Sequence, residues 1–314
     1  MLKSESFFRG FEGVRGRGSI RNHNFDFLGD GNLPMTITAE RSQLVFRKLE
    51  RSLEKLSVRQ NEKPVHSFRT SSRRLQTLLE ELVSEPTRGQ KKLLKLMRGI
   101  RKRAGKLRDL DVQITTLRGL EVQLELRRKT QLLQGLMEAR ASHEKKLRRT
   151  LTVKVLREAG KRLKQAWRDT KMKTVRDPLN RAREILARTA PLAKPLTEEE
   201  LHRCRLLVKR ARYAAELAPE SPAASQFIAQ VKRLQDVLGN WHDWQALTNT
   251  AVHRLGDINA SPLVAVLHNV TGGKFRHAVA AIAASPILQA GPKPVAMSQK
   301  ASRTGIKSAK RAAA

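Results

Sequence analysis

Several residue types are scarce in this chain of 314 residues, and each scarcity excludes a class of protein. Cys204 is the only cysteine, which rules out a disulfide framework and a cysteine-rich zinc site and fits a reducing compartment. Aromatic residues make up only 4% of the chain, which argues against base stacking as the main mode of recognition. No run of 18 apolar residues occurs, so the sequence predicts no membrane-spanning helix.

The sequence signatures of catalysis are missing as well. The chain contains no Gly-rich P-loop, no His-Glu-x-x-His zinc motif and no Gly-x-Ser-x-Gly nucleophile motif. It also lacks an acidic cluster large enough for a two-metal phosphatase site. We therefore expect a protein that is not an enzyme, with no catalytic residues, no metal ligands and no cofactor.

Positive charge, in contrast, is abundant. The chain carries 63 lysines and arginines against 29 acidic residues, a formal net charge of +34. Such a surplus repels itself in the folded state, so the expected partner is a polyanion. Nucleic acid, anionic lipid and a phosphate polymer are the candidates, and a generally basic protein such as a ribosome-associated factor is the alternative.

Both ends of the chain have compositions typical of disorder. Residues 1–34 are rich in Gly, Asn and charge without a sustained period, and we interpret them as a disordered leader or as an artefact of the gene start. They lack the apolar core of a signal peptide, so we expect a cytoplasmic protein. Residues 288–314 contain six cations and no acid, which predicts a disordered basic tail that could bind nucleic acid.

Residues 35–287, between these ends, have a helical composition. Leu, Arg, Lys, Ala, Glu and Gln dominate, and the alternation typical of strands is absent. Thr197 and Glu200 form a capping box, and Asn61 and Thr87 are further helix starts. We predict an all-α domain whose helices lie near residues 38–60, 61–83, 87–105, 109–127, 129–173 (with a break allowed), 177–190, 197–218, 222–238, 241–255 and 262–284.

A basic helical motif occurs twice in this domain. The segment Val65–Leu75 reads V-H-S-F-R-T-S-S-R-R-L, and Leu201–Ala211, 136 residues later, reads L-H-R-C-R-L-L-V-K-R-A. Further on, residues 105–109 and 239–243 share the pattern Gly-x-x-[Arg/His]-Asp at an offset of 134. Two landmarks at nearly the same offset predict an internal duplication, with homologous helical halves at 38–175 and 177–285. Two similar amphipathic helices arising by coincidence are the alternative.

Each copy of the motif places its histidine and its cations on one stripe of a helix, beside the apolar face. The stripes comprise His66, Arg69 and Arg73 in the first copy and His202, Arg205, Lys209 and Arg212 in the second. A stripe at the edge of the buried face lines a groove between packed helices, whereas charge that only solubilises a helix points straight away from the core. We therefore expect the two stripes to form the two sides of one basic groove.

Two further helices carry rows of cations. One row comprises Lys91, Lys95, Arg98 and Lys102, and the other comprises Lys154, Arg157, Lys161, Lys164, Arg168 and Lys171. Like charges at these spacings repel each other on a helix, so such rows usually need an external anion, although a solvated charged face is the alternative.

The residue types in these stripes suit phosphate. Arginine gives forked contacts to phosphate oxygens, and lysine acts as a point charge. A histidine among cations should be neutral at pH 7 in the empty site and should become protonated when a polyanion binds. The carboxylates Asp109, Asp111 and Asp243 could bind a metal, but we expect them to cap helices or to orient neighbouring arginines.

These segments resemble the CHAD family, the conserved histidine α-helical domain. The resemblance covers about residues 38–285 and rests on H-S-F-R-T-S-S-R-R-L, R-D-L-D-V, L-H-R-C-R-L-L-V-K-R-A-R-Y-A-A-E-L and L-Q-D-V-L-G-N-W-H-D. It implies two pseudo-symmetric helical bundles around a central basic channel that binds inorganic polyphosphate without catalysis. The ligand residues that it implies are His66, Arg69, Arg73, His202, Arg205 and Lys209, with Arg74, Arg210 and Arg212 beside them. The polar Thr70-Ser71-Ser72 departs from the family, which has small apolar residues there.

The sequence thus predicts a non-enzymatic polyphosphate-binding protein in the cytoplasm, at polyphosphate granules or the nucleoid. We add Lys91, Lys95, Arg98, Lys102, Lys161, Lys164 and Arg168 to the predicted binding residues. A nucleic-acid-binding protein associated with chromatin or RNA is the alternative, and an accessory subunit of a phosphohydrolase is a third hypothesis.

Overall fold

The computed structural model describes residues 39–121, 125–171, 176–189 and 196–289. These ranges contain α-helices and one π-helical turn and no β-strand, which confirms the all-α prediction. The helices are α1 (Ala39–Val58), α2 (Glu62–Thr77), α3 (Arg88–Arg118), α4 (Leu126–Thr150), α5 (Val153–Lys171), α6 (Pro178–Ala187), α7 (Glu198–Ala215), α8 (Pro222–Leu255), α9 (Pro262–Ala283) and α10 (Pro286–Gln289), and the π-helical turn spans Leu78–Leu82. The predicted leader and all but the first two residues of the predicted tail lie outside the described residues.

Most of the predicted helix starts are correct. The capping box at α7 is present, with Glu200 N donating to Thr197 Oγ1 (3.2 Å) and Thr197 N donating to Glu200 Oε2 (2.8 Å). Thr87 caps α3 in the same way, with Gln90 as its partner. Helix α2 begins after Asn61 as predicted, but the Asn61 side chain makes no capping hydrogen bond. The break allowed inside 129–173 falls between α4 and α5.

Two predicted helix breaks are wrong. Helix α3 runs without interruption through Gly105 for 31 residues, and α8 runs through Gly239 for 34 residues. A glycine inside a helix costs roughly 1 kcal/mol relative to alanine, which packing can offset. Here the residues that flank the two glycines are fully buried, with Ala104 and Leu107 in α3 and Leu238 and Trp241 in α8. Burial of these neighbouring residues in the core therefore stabilises each helix enough for it to continue through its glycine.

The helices pair in the same order in the two halves of the domain. In the first half α1 packs on α2, α2 on α3 and α3 on α4, and in the second half α6 packs on α7, α7 on α8 and α8 on α9. Helix α5 lies against α1 and α3, and the short α10 lies against the matching pair α6 and α8. This repeated pairing is what a duplicated chain would give, although the duplication itself stays a prediction.

Three hydrophobic cores hold the domain together. The first half has a core that includes Leu49, Phe68 and Met97 from α1, α2 and α3. The second half has its own core, in which the α8 residue Trp241 is fully buried. A third core joins the far ends of α3 and α8 to α4 and α9, with Leu247 at its centre. Helices α3 and α8 thus span from their own half into a core that both halves share, and their middle segments face each other.

None of the described helices is both long enough and apolar enough to cross a membrane.

Candidate functional site

A cavity of about 1160 Å³ lies where the two halves meet, bordered by α2, α3, α4, α7 and α8. Eight lysines and arginines line it, namely Arg69, Arg73, Lys106, Arg108, Arg205, Lys209, Arg210 and Arg254. The lining also contains three histidines and five carboxylates, namely His66, His143, His242, Glu80, Glu81, Asp109, Asp236 and Asp243. Cations therefore outnumber acids around the cavity even when the histidines are neutral, which favours an anionic occupant.

Six of the predicted binding residues line this cavity. They are His66, Arg69 and Arg73 on α2 and Arg205, Lys209 and Arg210 on α7. The two basic stripes therefore face one space, as the groove hypothesis requires. Corresponding positions meet across it, because Arg69 and Arg205 come from one place in the repeated motif, and Arg73 and Lys209 come from another.

The arginine of the first stripe is held by residues of its own half. Arg69 Nη2 lies 3.7 Å from the Asp109 carboxylate on α3. Its guanidinium also passes directly over Gly105, where a Cβ atom would collide with Arg69 Nη1. A side chain at position 105 would therefore displace the end of the Arg69 side chain from α3.

The arginine of the second stripe has fewer partners. Arg205 is only 9% exposed, and its Nε makes no hydrogen bond to any described residue. Burial lowers the pKa of Arg205, an effect that the nearby carboxylates of Asp243 and Asp109 partly offset. Gly239, which corresponds to Gly105, has no neighbouring atom within 4 Å of its Cβ position. The second half thus presents a buried guanidinium whose hydrogen-bonding capacity is not used up.

Lys209 lies one helical turn after Arg205 on α7 and adds a second cation that is only partly compensated. Burial, together with repulsion from Arg205, lowers the pKa of Lys209 from 10.5 to about 8. A buried cation is unfavourable unless an opposite charge compensates it. A bound anion would supply that compensation, so the pair Arg205 and Lys209 is the part of the cavity most suited to one.

Two glutamines lining the cavity have unused hydrogen-bonding capacity of the same kind. The Oε1 atoms of Gln113 on α3 and Gln235 on α8 are buried without a partner among the described residues. A side-chain amide can rotate to present its NH₂ group instead of its oxygen. Each glutamine could then donate a neutral hydrogen bond to an anion held by the arginines.

Histidines occupy the edge of the cavity. Burial, followed by repulsion from Arg108 and Arg69, lowers the pKa of His66. Burial, followed by His242 and Arg205, lowers the pKa of His202. His202 does not line the cavity itself, but its ring stacks on His242, which does, with 5.5 Å between the ring centroids. These shifts agree with the expectation that both motif histidines are neutral at pH 7 in the empty site.

The three aspartates lie inside helices rather than at their starts, so the prediction that they cap helices is wrong. The prediction that they orient arginines is confirmed for two of them. Asp109 contacts Arg69, and Asp111 accepts a hydrogen bond of 2.6 Å from Arg140 Nε. Among the described residues, no group of three or more His, Cys, Asp or Glu side chains is arranged to hold a metal ion.

The three flanking arginines of the predicted site all form ion pairs, and the pairs of Arg74 and Arg210 cross between the halves. Arg74 on α2 lies 2.7 Å from Glu216, which follows α7 and also binds Arg212 at 2.8 Å. In the reciprocal pair, Arg210 on α7 contacts Glu81 in the π-helical turn. Arg74 and Arg212 do not line the cavity, and Arg210 lines it while paired. These residues join the two sides of the cavity.

The π-helical turn bears on the sequence positions of the two glutamates in these reciprocal pairs. Val83 N donates to Leu78 O across five residues, one more than in an α-helix. The turn therefore accommodates one additional residue in the first half. One additional residue in the first half would account for the spacing of 135 residues between Glu81 and Glu216, one less than the spacing of 136 residues between the two basic motifs.

The remaining predicted residues lie outside the cavity. Lys91, Lys95, Arg98 and Lys102 are exposed on α3, and Arg98 lies 3.6 Å from Glu80. Lys161, Lys164 and Arg168 are exposed on α5. Helical spacing shows that residues share a stripe, but it does not show where that stripe faces, so these rows could not be separated from the cavity by sequence.

Sequence reasoning also missed several residues that line the cavity, namely Lys106, Arg108, Gln113, His143, Gln235, His242 and Arg254. Arg108 and His242 stand at the same place in the repeated Gly-x-x-[Arg/His]-Asp pattern, so that repeat contained the signal for both. The two glutamines carry no such signal, because only burial without a partner distinguishes them.

Comparison with known proteins agrees with the fold. The sequence profile of the CHAD domain matches residues 42–251, which is about two thirds of the chain. The chain belongs to the CHAD family. A solved structure with the same fold is the crystal structure of the CHAD domain from the plant Ricinus communis, with a TM-score of 0.58 and 14% sequence identity. The match covers 86% of this chain and 96% of the plant CHAD domain. Among curated proteins, none matches this chain significantly.

Proposed function

We propose that this CHAD protein binds inorganic polyphosphate in the cavity between its halves and does not hydrolyse it. The observation that carries the proposal is the buried Arg205 beside the half-buried Lys209, whose charges the surrounding carboxylates compensate only in part. Arg69 and Arg73 on the opposite side of the cavity allow an anion to be contacted from both halves.

The shape of the cavity favours a thin chain over a double helix. Polyphosphate carries about one negative charge per phosphate on a single narrow strand, a denser charge than the phosphates of DNA. A volume of about 1160 Å³ enclosed by five helices suits such a strand and is too small for a nucleic-acid duplex. Forked arginine contacts and the amides of Gln113 and Gln235 would then bind phosphate oxygens.

We also propose that the protein does not catalyse the hydrolysis of polyphosphate. The cavity carboxylates Asp109 and Asp243 lie next to Arg69 and His242, and neither belongs to a cluster suited to metal ions in the described part of the chain. We expect no phosphate release from polyphosphate in the presence of Mg²⁺ or Mn²⁺. We also expect the protein in the cytoplasm, at polyphosphate granules or the nucleoid.

Competition binding tests the proposal. Long polyphosphate and single-stranded DNA are offered at equal charge concentration, and polyphosphate should bind more tightly by at least tenfold. The double variant Arg205→Gln/Lys209→Gln should lose at least a hundredfold in polyphosphate affinity, since each charged hydrogen bond contributes about 1.5–3 kcal/mol.

A charge-matched control separates the cavity from overall charge. Arg203 on α7 and Lys232 on α8 are exposed and do not line the cavity. The variant Arg203→Gln/Lys232→Gln should keep nearly all of its polyphosphate affinity. Equal losses in the two double variants, or equal binding of polyphosphate and single-stranded DNA, would contradict the proposal.

A further inference from the structure

Helix α5 carries a row of exposed cations that the cavity does not use. Lys154, Arg157, Lys161, Lys164 and Arg168 are all exposed, and their spacing of three and four residues places them on one face. None of them lines the cavity. We call these five residues the outer row.

The outer row lies on a rigid support. The opposite face of α5 buries Ala159, Leu163 and Ala166 against α1 and α3. Two further contacts tie α5 to its neighbours, where Thr87 Oγ1 donates to Asp169 Oδ2 (2.6 Å) and the ring of Trp167 packs on Phe46. The two acids of α5 lie off the row, since Glu158 binds Arg162 and Asp169 binds Thr87.

The second half has no equivalent of this row in the part that the structure describes. The element that packs on α6 and α8, as α5 packs on α1 and α3, is α10, whose four residues Pro-Ile-Leu-Gln carry no charge. The stripes that line the cavity, in contrast, occur in both halves. The outer row is therefore a feature of the first half alone among the described residues, and it lies apart from the cavity.

We propose that the outer row is a second polyanion site, which binds the phosphodiester backbone of double-stranded nucleic acid without sequence specificity. The row extends over 14 residues, or about 21 Å along the helix axis. B-DNA presents one negative charge per about 1.7 Å of its axis, both strands counted, so a row of this length lies beside a stretch of duplex that carries about 12 phosphates. Contacts from Lys and Arg to phosphates position a protein but carry no sequence information.

The surroundings of the row argue against other partners. A helix that binds a membrane must insert apolar side chains, but the apolar face of α5 is buried in the core. Protein interfaces depend on apolar or aromatic anchors, and the exposed face of α5 offers only Val153 at its end. A thin polyphosphate strand gains most where cations surround it, as in the cavity, whereas a duplex is broad enough to lie across one convex helix.

The test measures binding of the full-length chain to a mixed-sequence duplex of about 20 base pairs, by fluorescence anisotropy over a series of salt concentrations. Each phosphate contact contributes about −0.9 to the slope of log K against log salt. The variant Lys161→Gln/Lys164→Gln/Arg168→Gln should therefore weaken the slope by up to about 2.7 and lower the affinity at least tenfold at low salt. The variant Lys161→Arg/Lys164→Arg keeps both positive charges and should bind the duplex as tightly as the parent protein does.

The control removes the same charge elsewhere. Arg203, Lys232 and Arg233 are exposed on α7 and α8, and the triple variant with glutamine at these positions should keep the parental salt slope. The basic residues beyond position 289 are unchanged in every variant, so their contribution cancels. If both triple variants lose the same affinity, or if the parent does not bind the duplex, the proposal is wrong.

Two more measurements separate this proposal from the cavity. Polyphosphate affinity should be unchanged in the outer-row variant, and duplex affinity should be unchanged in Arg205→Gln/Lys209→Gln. A loss of binding to phosphatidylserine vesicles or to polyphosphate in the outer-row variant, with duplex binding retained, would assign the row to that ligand and overturn the proposal. Failure of the cavity variant alone would contradict only the proposed polyphosphate function.

Discussion

The two halves of the domain place the same motif arginine in different surroundings. Arg69 in the first half contacts Asp109 and lies over Gly105. Arg205 in the second half is 9% exposed and leaves its Nε without a described partner, and no atom lies within 4 Å of the Cβ position of Gly239. Two arginines at equivalent positions of the repeated motif therefore have different surroundings. Arg69 is held by its own half, whereas Arg205 keeps unused hydrogen-bonding capacity.

This difference assigns separate tasks to the two sides of the cavity. The first half supplies Arg69, which contacts Asp109 in its own half, whereas the second half supplies Arg205 and Lys209, and burial lowers the pKa of Lys209 to about 8. An incoming anion gains most where existing charges are least compensated. We therefore expect the second half to dominate binding, and pairs of equivalent substitutions can test that expectation.

The largest effect should come from the ion pairs that join the halves. Glu81 is 3% exposed and binds Arg181 and Arg210, whereas Glu216 is 14% exposed and binds Arg74 and Arg212. Removing one partner of a buried pair leaves an uncompensated charge, so Glu81→Gln should lower the free energy of unfolding by about 3 kcal/mol. Glu216→Gln should lower it by less. Urea denaturation of both variants measures this, and equal losses would show that burial does not set the difference.

Binding should distinguish the motif arginines next. Arg205→Gln should weaken polyphosphate binding by about 2 kcal/mol, as expected for loss of a charged hydrogen bond. Arg69→Gln should weaken it less and should instead reduce stability, because Asp109 loses its contact. Titration calorimetry and urea denaturation of the same two variants provide both numbers. A larger binding loss in Arg69→Gln would reverse the assignment of the two sides.

Lys209, which lies in the second half, should make polyphosphate binding depend on pH. A pKa lowered from 10.5 to about 8 by burial means that the empty cavity loses the Lys209 charge above about pH 8. A bound anion favours the charged form, so polyphosphate affinity should fall by up to about tenfold per pH unit above that point. In Lys209→Arg the decline should be absent, because an arginine side chain remains charged across this pH range.

The same shift makes a prediction about stability with the opposite sign. Between about pH 8 and 10.5 the unfolded chain binds the Lys209 proton that the native state has lost. Stability should therefore rise with pH in this window as far as this group contributes. Urea denaturation of the parent and of Lys209→Met across the window isolates that contribution, and identical pH profiles would contradict it.

The smallest effect should come from the two corresponding glycines. Gly239→Ala places its Cβ in open space, so it should raise the free energy of unfolding by about 0.5–1 kcal/mol through helix propensity alone. Gly105→Ala must displace the end of the Arg69 side chain, so its gain should be smaller, and polyphosphate affinity should fall slightly. Thermal unfolding and binding of the two variants measure both effects. Equal stabilisation would show that Arg69 moves without loss.

Much of the helical plan could be predicted from local chemistry. The capping residues Thr87 and Thr197 were identifiable because a capping box involves only neighbouring residues. The position of each basic stripe beside an apolar face followed from helical periodicity, and part of each stripe lines the cavity, although His202 and Arg212 do not. The false breaks at Gly105 and Gly239 show the limit of such reasoning, because burial on both sides of the glycine outweighs its low helix propensity.

The candidate site was only partly predictable for a related reason. Cations repeat with the same helical spacing on α5 and on α2. Arg69 nevertheless faces the cavity, whereas Lys161 faces solvent on the outside of the domain. Gln113 and Gln235 have no pattern in the sequence, since their role depends on burial without a partner. Periodicity defines the faces of a helix, whereas the neighbouring helices decide what each face meets.

The sequence by itself determined the helical class, the family and the two basic motifs, because composition, capping and periodicity act over a few residues. Only the tertiary structure decided which cations face one another, which are held by carboxylates and which, like Arg205, remain without a full set of partners. Those outcomes depend on contacts between segments more than a hundred residues apart, such as Arg74 with Glu216 and Arg210 with Glu81. Burial and pairing are properties of the packed chain, and they distinguish an arginine with unused hydrogen-bonding capacity from one held by a carboxylate.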